Sequence, residues 1–230
     1  MDKIAVAIGG GEIIGWNFKT KDANGIVYDL EEIDKSIRGL SKCENPKLLF
    51  IGTATKENPH YFNAIKNIYE SLGCKVDELK IIDNYINKDD IHKKVLDADI
   101  IYIGGGNTKF MLFEWEKVDL KDAIINSYNQ GTIIAGYSAG AYAIFSVNYE
   151  EINGFGIIDG VVCAHYNEKS DEKKNQFFDT IKKMDKTGYA IDNSTAVLSI
   201  NGNLNSLKSM ENSKVLKMEY INEVLKSEEL

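Results

Sequence analysis

Cysteine is scarce in this chain. Cys43, Cys74 and Cys163 stand apart with no CxxC pair, a spacing that excludes both a disulfide framework and a cysteine-based zinc site. Three reduced, partly buried thiols are expected; Cys163, two residues before His165, is given no catalytic role. Clustered basic residues are lacking as well: 27 Lys and Arg against 35 Asp and Glu leave a net charge of -8. A nucleic-acid backbone therefore finds no matching surface. No apolar run approaches the roughly 20 residues that cross a bilayer. The start, "MDKIAVAIGGGEI", has neither the charged lead nor the cleavage site of a secretory signal. These absences lead to the expectation of a cytoplasmic protein with no membrane or nucleic-acid partner, no metal and no cofactor.

What is present is a chain of 230 residues, 43% of them hydrophobic, enough for one substantial core. One domain, 1–230, is expected. Short Ile- and Val-rich runs alternate with longer amphipathic stretches, the pattern of helices crossing over between parallel strands. The strand candidates are 3–8, 47–53, 75–82, 99–104 and 132–137; the helix candidates are 29–42, 59–73, 89–98 and 120–131. Further on come a strand, "VVCAHY" (161–166), a helix (172–184), and short strands "GYAI", "AVLSI", "LNSLKS" and "KVLKMEYI", separated by "DNST" and "NGN". Asn-Gly punctuation of this kind signals antiparallel hairpins. The expected fold is α/β with a mostly parallel, mixed sheet and C-terminal antiparallel strands, the tail "KSEEL" lying loose. Ligands on such sheets gather at the carboxyl ends of the strands.

Ser138 falls at such an end, in "IIAGYSAGAYAIF" (133–145). Strand, glycine-flanked serine and apolar helix make the layout of a nucleophile elbow. A serine nucleophile needs a base, and the chain has three histidines. His60 and His92 read as solvated side chains on helices. His165 ends a strand in the second half and is the candidate base. For the orienting acid, Asp192 in "GYAIDNSTAV" is best placed; neighbouring Asn193 offers only a neutral acceptor, and Glu150, Glu151 and Asp159 stay open.

Two glycine runs accompany this. In "IIYIGGGNTKFML" (100–112) the glycines leave amides free to face a ligand; N–H groups of Gly105 or Gly106, with that of Ala139, are candidates for an oxyanion hole. Asn107 and Tyr137 are candidate substrate contacts, Asn107 having a helix cap as its simpler role. The second run, "IAVAIGGGEIIG", invites a dinucleotide-binding reading, but "GWNFKTKDANG" (15–25) supplies turn residues where that motif needs a helix. These glycines are read instead as site floor. The order Ser, His, acid differs from that of α/β-hydrolases, and 26 residues between Ser138 and His165 leave little room for that fold's acid strand. An esterase of that kind and a non-catalytic small-ligand binder are the competing readings.

The chain resembles the peptidase E family of serine peptidases, which includes aspartyl dipeptidase and the more distant cyanophycinases. The likeness rests on "VAIGGGE" (6–12), "IGGGNT" (103–108), "GYSAGA" (136–141), "GFGIIDGVVCAHY" (154–166) and "AIDNSTAV" (190–197), in the family's order and over nearly the whole chain. The resemblance implies a flavodoxin-like fold related to class I glutamine amidotransferases and a triad ordered nucleophile, histidine, acid. It assigns Ser138 as nucleophile, His165 as base, Gly106 and Ala139 as oxyanion donors, and Asp192 or Asn193 as the third member, of which Asp192 is chosen because a carboxylate stabilises the imidazolium. It implies a peptidase acting on short peptides, with recognition of an N-terminal aspartate calling for a cation. Arg38 is the chain's one arginine and lies far from these motifs, leaving Lys169, Lys173 and Lys174. A homodimer is left open.

Overall fold

In the computed structural model, which describes residues 1–19, 27–82 and 87–230, the strands form two sheets. The elements in chain order are β1 (Ile4–Ile8), α1 (Glu31–Leu40), β2 (Lys47–Ile51), α2 (Pro59–Ser71), β3 (Lys75–Leu79), α3 (Lys88–Leu96), β4 (Ile100–Ile103), α4 (Thr108–Glu116), α5 (Leu120–Asn129), β5 (Ile133–Tyr137), α6 (Ala139–Ile144), β6 (Phe145–Asn148), β7 (Ile158–Ala164), α7 (Asp171–Met184), β8 (Gly188–Ile191), β9 (Thr195–Ile200), β10 (Asn203–Lys208), β11 (Val215–Ile221) and β12 (Val224–Glu229). The larger sheet runs β10-β9-β1-β5-β4-β2-β3, the smaller β12-β11-β8-β7-β6. Strands β1, β5, β4, β2 and β3 are parallel, with β9 and β10 added antiparallel on one edge. The fold class expected from the sequence is the one observed.

The physical basis of each element is local. Residues of β1 and β5 are buried throughout, as strands covered on both faces require. Asn58, Asn87 and Asn107 cap α2, α3 and α4 by accepting the N–H of His60, Asp90 and Phe110, which satisfies a donor the helix leaves free. Alternation along β1 sends Ile4, Val6 and Ile8 into the layer under α1 and α2, and Ala5 and Ala7 into the layer shared with the second sheet. Small residues are needed there because α6 lies between the sheets, packed on β1, β4 and β5 of one and β6 and β7 of the other.

Three expectations are corrected. The single mixed sheet is two sheets: "DNST" is no hairpin but a crossover, since β8 belongs to the smaller sheet and β9 to the larger. The hairpin at "NGN" does form, joining β9 to β10 with Asn201 and Gly202 both at positive φ. The tail is paired: β12 runs antiparallel to β11, and Leu230 N–H donates to the Val215 carbonyl at 3.0 Å. The helix after Ser138 stops at Ile144, where β6 begins. Residues 20–25 of the turn-rich stretch 15–25 lie outside the described residues.

One buried carboxyl group ties the first helix layer together. Asp34 of α1, 1% exposed, accepts hydroxyl hydrogen bonds from Tyr28 at 2.8 Å and Tyr69 of α2 at 2.6 Å. Burial raises its pKa from 3.8 to about 6, the two hydroxyls opposing. The fold thus favours the protonated acid, so its contribution is full below pH 3.8 and lost as pH rises through about 6. A rise of that size is worth on the order of 3 kcal/mol. Asp34→Asn should flatten the decline of the melting temperature between about pH 4 and pH 6; a scan in which wild type and variant decline in parallel across that window would refute the assignment.

Candidate active site

Five strand ends build the site. Ser138 follows β5 and is held at φ 52°, ψ -102°, a conformation costly for a residue with a Cβ. The glycines around it explain how the turn closes. A Cβ on Gly136 would stand 2.4 Å from the Gly140 backbone, and one on Gly140 would stand 2.3 Å from the Ile103 carbonyl oxygen. Ser138 N–H donates to the Ile8 carbonyl at 2.9 Å, fastening the elbow to β1.

His165 follows β7 in the other sheet, at φ 53°, ψ 39°, and its N–H donates to the Gly9 carbonyl at 3.0 Å. Its Nε2 lies 2.9 Å from Ser138 Oγ, and its Nδ1 lies 2.7 Å from Asn193 Oδ1. Asn193 stands in the crossover between β8 and β9, where Ser194 N–H donates to the Gly10 carbonyl at 2.8 Å and Gly9 N–H donates to Thr195 at 2.9 Å. The N-terminal glycines are thus the floor of the site, as expected. A Cβ on Gly10 would meet His165 Nδ1 at 2.2 Å and Asn193 Oδ1 at 2.3 Å.

Burial lowers the His165 pKa below its usual range; the Asn193 hydrogen bond opposes this and the Lys169 charge adds to it. The ring is therefore neutral at neutral pH, with Nδ1–H donating to the amide oxygen and Nε2 left to accept from the serine hydroxyl. That is the arrangement of a general base beside a nucleophile.

The other expected residues sort as follows. Asp192 is not the group at the ring: its carboxylate, buried and raised in pKa by that burial, accepts the Lys214 N–H at 3.2 Å. The two residues stand where β8 gives way to a turn, and there Asn193 faces the histidine while Asp192 faces Lys214. Asp159 is tied to Ser146 and Lys186, and Glu151 to Lys183. Gly105 is corrected too: its N–H donates to the Tyr61 hydroxyl at 3.2 Å. Among the described residues the N–H groups of Gly106 and Ala139 form no hydrogen bond. Tyr137 is 2% exposed, its hydroxyl donating to the Gly11 carbonyl at 2.6 Å, so it supports the floor rather than meeting a substrate. The Asn107 side-chain oxygen is occupied by its cap on α4. His92, expected to be solvated, is half-buried. Cys163 is fully buried, its thiol pushed up to about 12 by burial, as an inert core residue should be. Tyr61 and Glu168, whose side chain accepts Asn193 Nδ2–H at 2.8 Å, were invisible in the sequence; neither lies in a recognisable pattern. No group of three or more His, Cys, Asp or Glu among the described residues is arranged to hold a metal.

The profile of peptidase family S51 matches residues 24–207. The chain belongs to that family. It is a serine-class peptidase, a hydrolase with peptide substrates. It is similar to the uncharacterized peptidase YgaJ of Bacillus subtilis, 28% identical over 179 residues that cover 75% of this chain and 77% of that one. It is also similar to a peptidase E of Actinobacillus pleuropneumoniae serotype 3, 29% identical over 181 residues that cover 69% and 73%. Two crystal structures share the fold: a putative peptidase E from Listeria monocytogenes, with TM-score 0.68 at 20% identity covering 90% of this chain and 99% of that one, and a peptidase from an acI-B1 Actinobacterium, with TM-score 0.71 at 22% identity covering 100% and 98%. No helix among the described residues is long and apolar enough to cross a membrane.

The close approach at Gly10 generates a sharp expectation. Gly10→Ala should displace the imidazole and lower peptidase kcat by at least ~100-fold, since a misplacement near 1 Å in such a site costs about that much. The folded structure should survive, checked by circular dichroism. Wild-type turnover in the alanine variant would show that the glycine floor does not position the ring.

Proposed function

We propose that the chain is a serine exopeptidase for short peptides in which Ser138 attacks the carbonyl, His165 takes the serine proton and then delivers it to the leaving amine, and water hydrolyses the acyl-enzyme. Asn193 orients the ring, and the amides of Gly106 and Ala139 receive the developing oxyanion. The observation that carries this reading is the Ser138–His165–Asn193 chain of contacts at 2.9 and 2.7 Å. Ser138→Ala should abolish hydrolysis of a panel of Asp-X and Ala-X dipeptides and block labelling by a fluorophosphonate, with the melting temperature nearly unchanged. Wild-type hydrolysis by the variant would end the assignment. Because His165 acts as a neutral base and its pKa is depressed, kcat/KM should fall on the acid side only below about pH 6.5.

An N-terminal aspartate is the preferred substrate end, and Lys169 is its proposed counter-charge. Lys169 is half-buried just beyond His165, sits over the Tyr149 ring at 5.0 Å, and has its pKa lowered chiefly by desolvation. No carboxylate among the described residues pairs with it. A partly desolvated, unpaired ammonium gains from an incoming carboxylate. Lys169→Gln should reduce kcat/KM for Asp-X about tenfold or more, the value of one charge-assisted hydrogen bond, while Ala-X hydrolysis is spared. Equal losses on both substrates would remove Lys169 from specificity.

A further inference from the structure

We infer that Glu168 is a positioning residue that selects the working tautomer of His165 through the amide of Asn193. The inference rests on the Ser138–His165 reading above.

A neutral imidazole carries one N–H, and Nε2 can accept the serine proton only if that hydrogen sits on Nδ1. A carboxylate at Nδ1 guarantees this, because it can only accept. An amide does not: its two ends have nearly the same shape, one accepting and the other donating. Turned over, Asn193 would present N–H to Nδ1, drive the ring hydrogen to Nε2 and leave Ser138 without a base. In this chain the turned-over form is opposed by Glu168, whose Oε1 accepts from Asn193 Nδ2 at 2.8 Å. An ionised carboxylate accepts and never donates, so the NH2 end is held on Glu168 and the oxygen end on the ring.

The backbone supports the same geometry. Glu168 closes the short 3-10 turn Tyr166–Glu168 directly after His165, and its N–H donates to the His165 carbonyl at 3.0 Å. Asn167, in the same turn, accepts the Asn193 N–H at 2.9 Å. Base and orienting carboxylate thus share one turn, and the Asn167 and Glu168 side chains of that turn both grip Asn193. No ion pair engages Glu168 among the described residues, which leaves its oxygens to the amide.

The test is a cycle of wild type, Glu168→Ala, Asn193→Asp and the double variant, each assayed on a hydrolysed dipeptide. Glu168→Ala should lower kcat roughly tenfold, as the loss of one charge-assisted hydrogen bond suggests, with KM little changed; Glu168→Gln, whose amide oxygen can accept the same N–H, should recover part of it. In the Asn193→Asp background the ring partner accepts whichever way it turns, and Glu168 beside it only repels, so removing Glu168 should leave kcat equal or higher. The same loss in both backgrounds would mean a merely structural Glu168 and would overturn the inference. Nitrogen-15 chemical shifts of the His165 ring give a readout without turnover: Nδ1–H in the wild type, a tautomer mixture in Glu168→Ala. An unchanged tautomer would sink the inference even in an active peptidase, whereas a changed tautomer in a protein that hydrolyses no peptide would uphold it and fault the functional reading instead.

Discussion

The approach of the Gly9–Gly10 backbone to His165 and Asn193 is the contact on which the rest of the site depends. Four hydrogen bonds radiate from the end of β1: from Ser138 to Ile8, from His165 to Gly9, from Ser194 to Gly10, and from Gly9 to Thr195. Residues from three distant parts of the chain are thereby set against one strand end. The arrangement demands the absence of a side chain, because the space a Cβ would take at Gly10 is filled by the imidazole and the amide themselves. Backbone hydrogen bonds with little freedom position the ring more exactly than flexible side-chain contacts would.

The site lies where the two sheets meet. Ser138 is supplied by the larger sheet, His165 by the smaller, and Asn193 by the crossover between them. Helix α6 fills the gap between them with Ala139, Gly140, Ala141 and Ala143, all buried. Larger residues at these positions would hold the sheets apart and draw the imidazole away from the hydroxyl. The half-buried ring pays for its position with a lowered pKa, which suits a group that must be unprotonated to act. A neutral amide at Nδ1 supports the imidazolium less than a carboxylate would, and the charge of Glu168 one hydrogen bond further on partly offsets that difference.

Much of this was legible beforehand. The parallel strands announced themselves as Ile- and Val-rich runs, and their ends fell within three residues of those expected. The tight turn at Ser138, the histidine at the end of β7 and the glycines beneath them were readable because each needs a particular residue type at a particular spacing. The second sheet was not. Strand β6 is a short continuation of a helical-looking run, and β12 is polar enough to pass for a tail, since it is an edge strand paired to β11 alone and nearly all of its residues are exposed. The choice between Asp192 and Asn193 was also out of reach: two adjacent residues differ in direction by the phase of the strand before them, and that phase is set by pairing with β11 and β7.

Local chemistry, then, decided which residues are able to act: a serine in a turn that needs glycine two residues before and after it, a histidine at a strand end, runs of apolar residues long enough to make strands. Spacing along the chain carries that information because turns, caps and strands obey short-range steric rules. Tertiary structure alone decided which of the able residues meet. The assignment of β8 and β9 to different sheets, the turning of Asn193 toward the ring and of Asp192 toward Lys214, and the reach of Glu168 to the amide all arise from contacts between segments far apart in sequence, whose register no local pattern encodes.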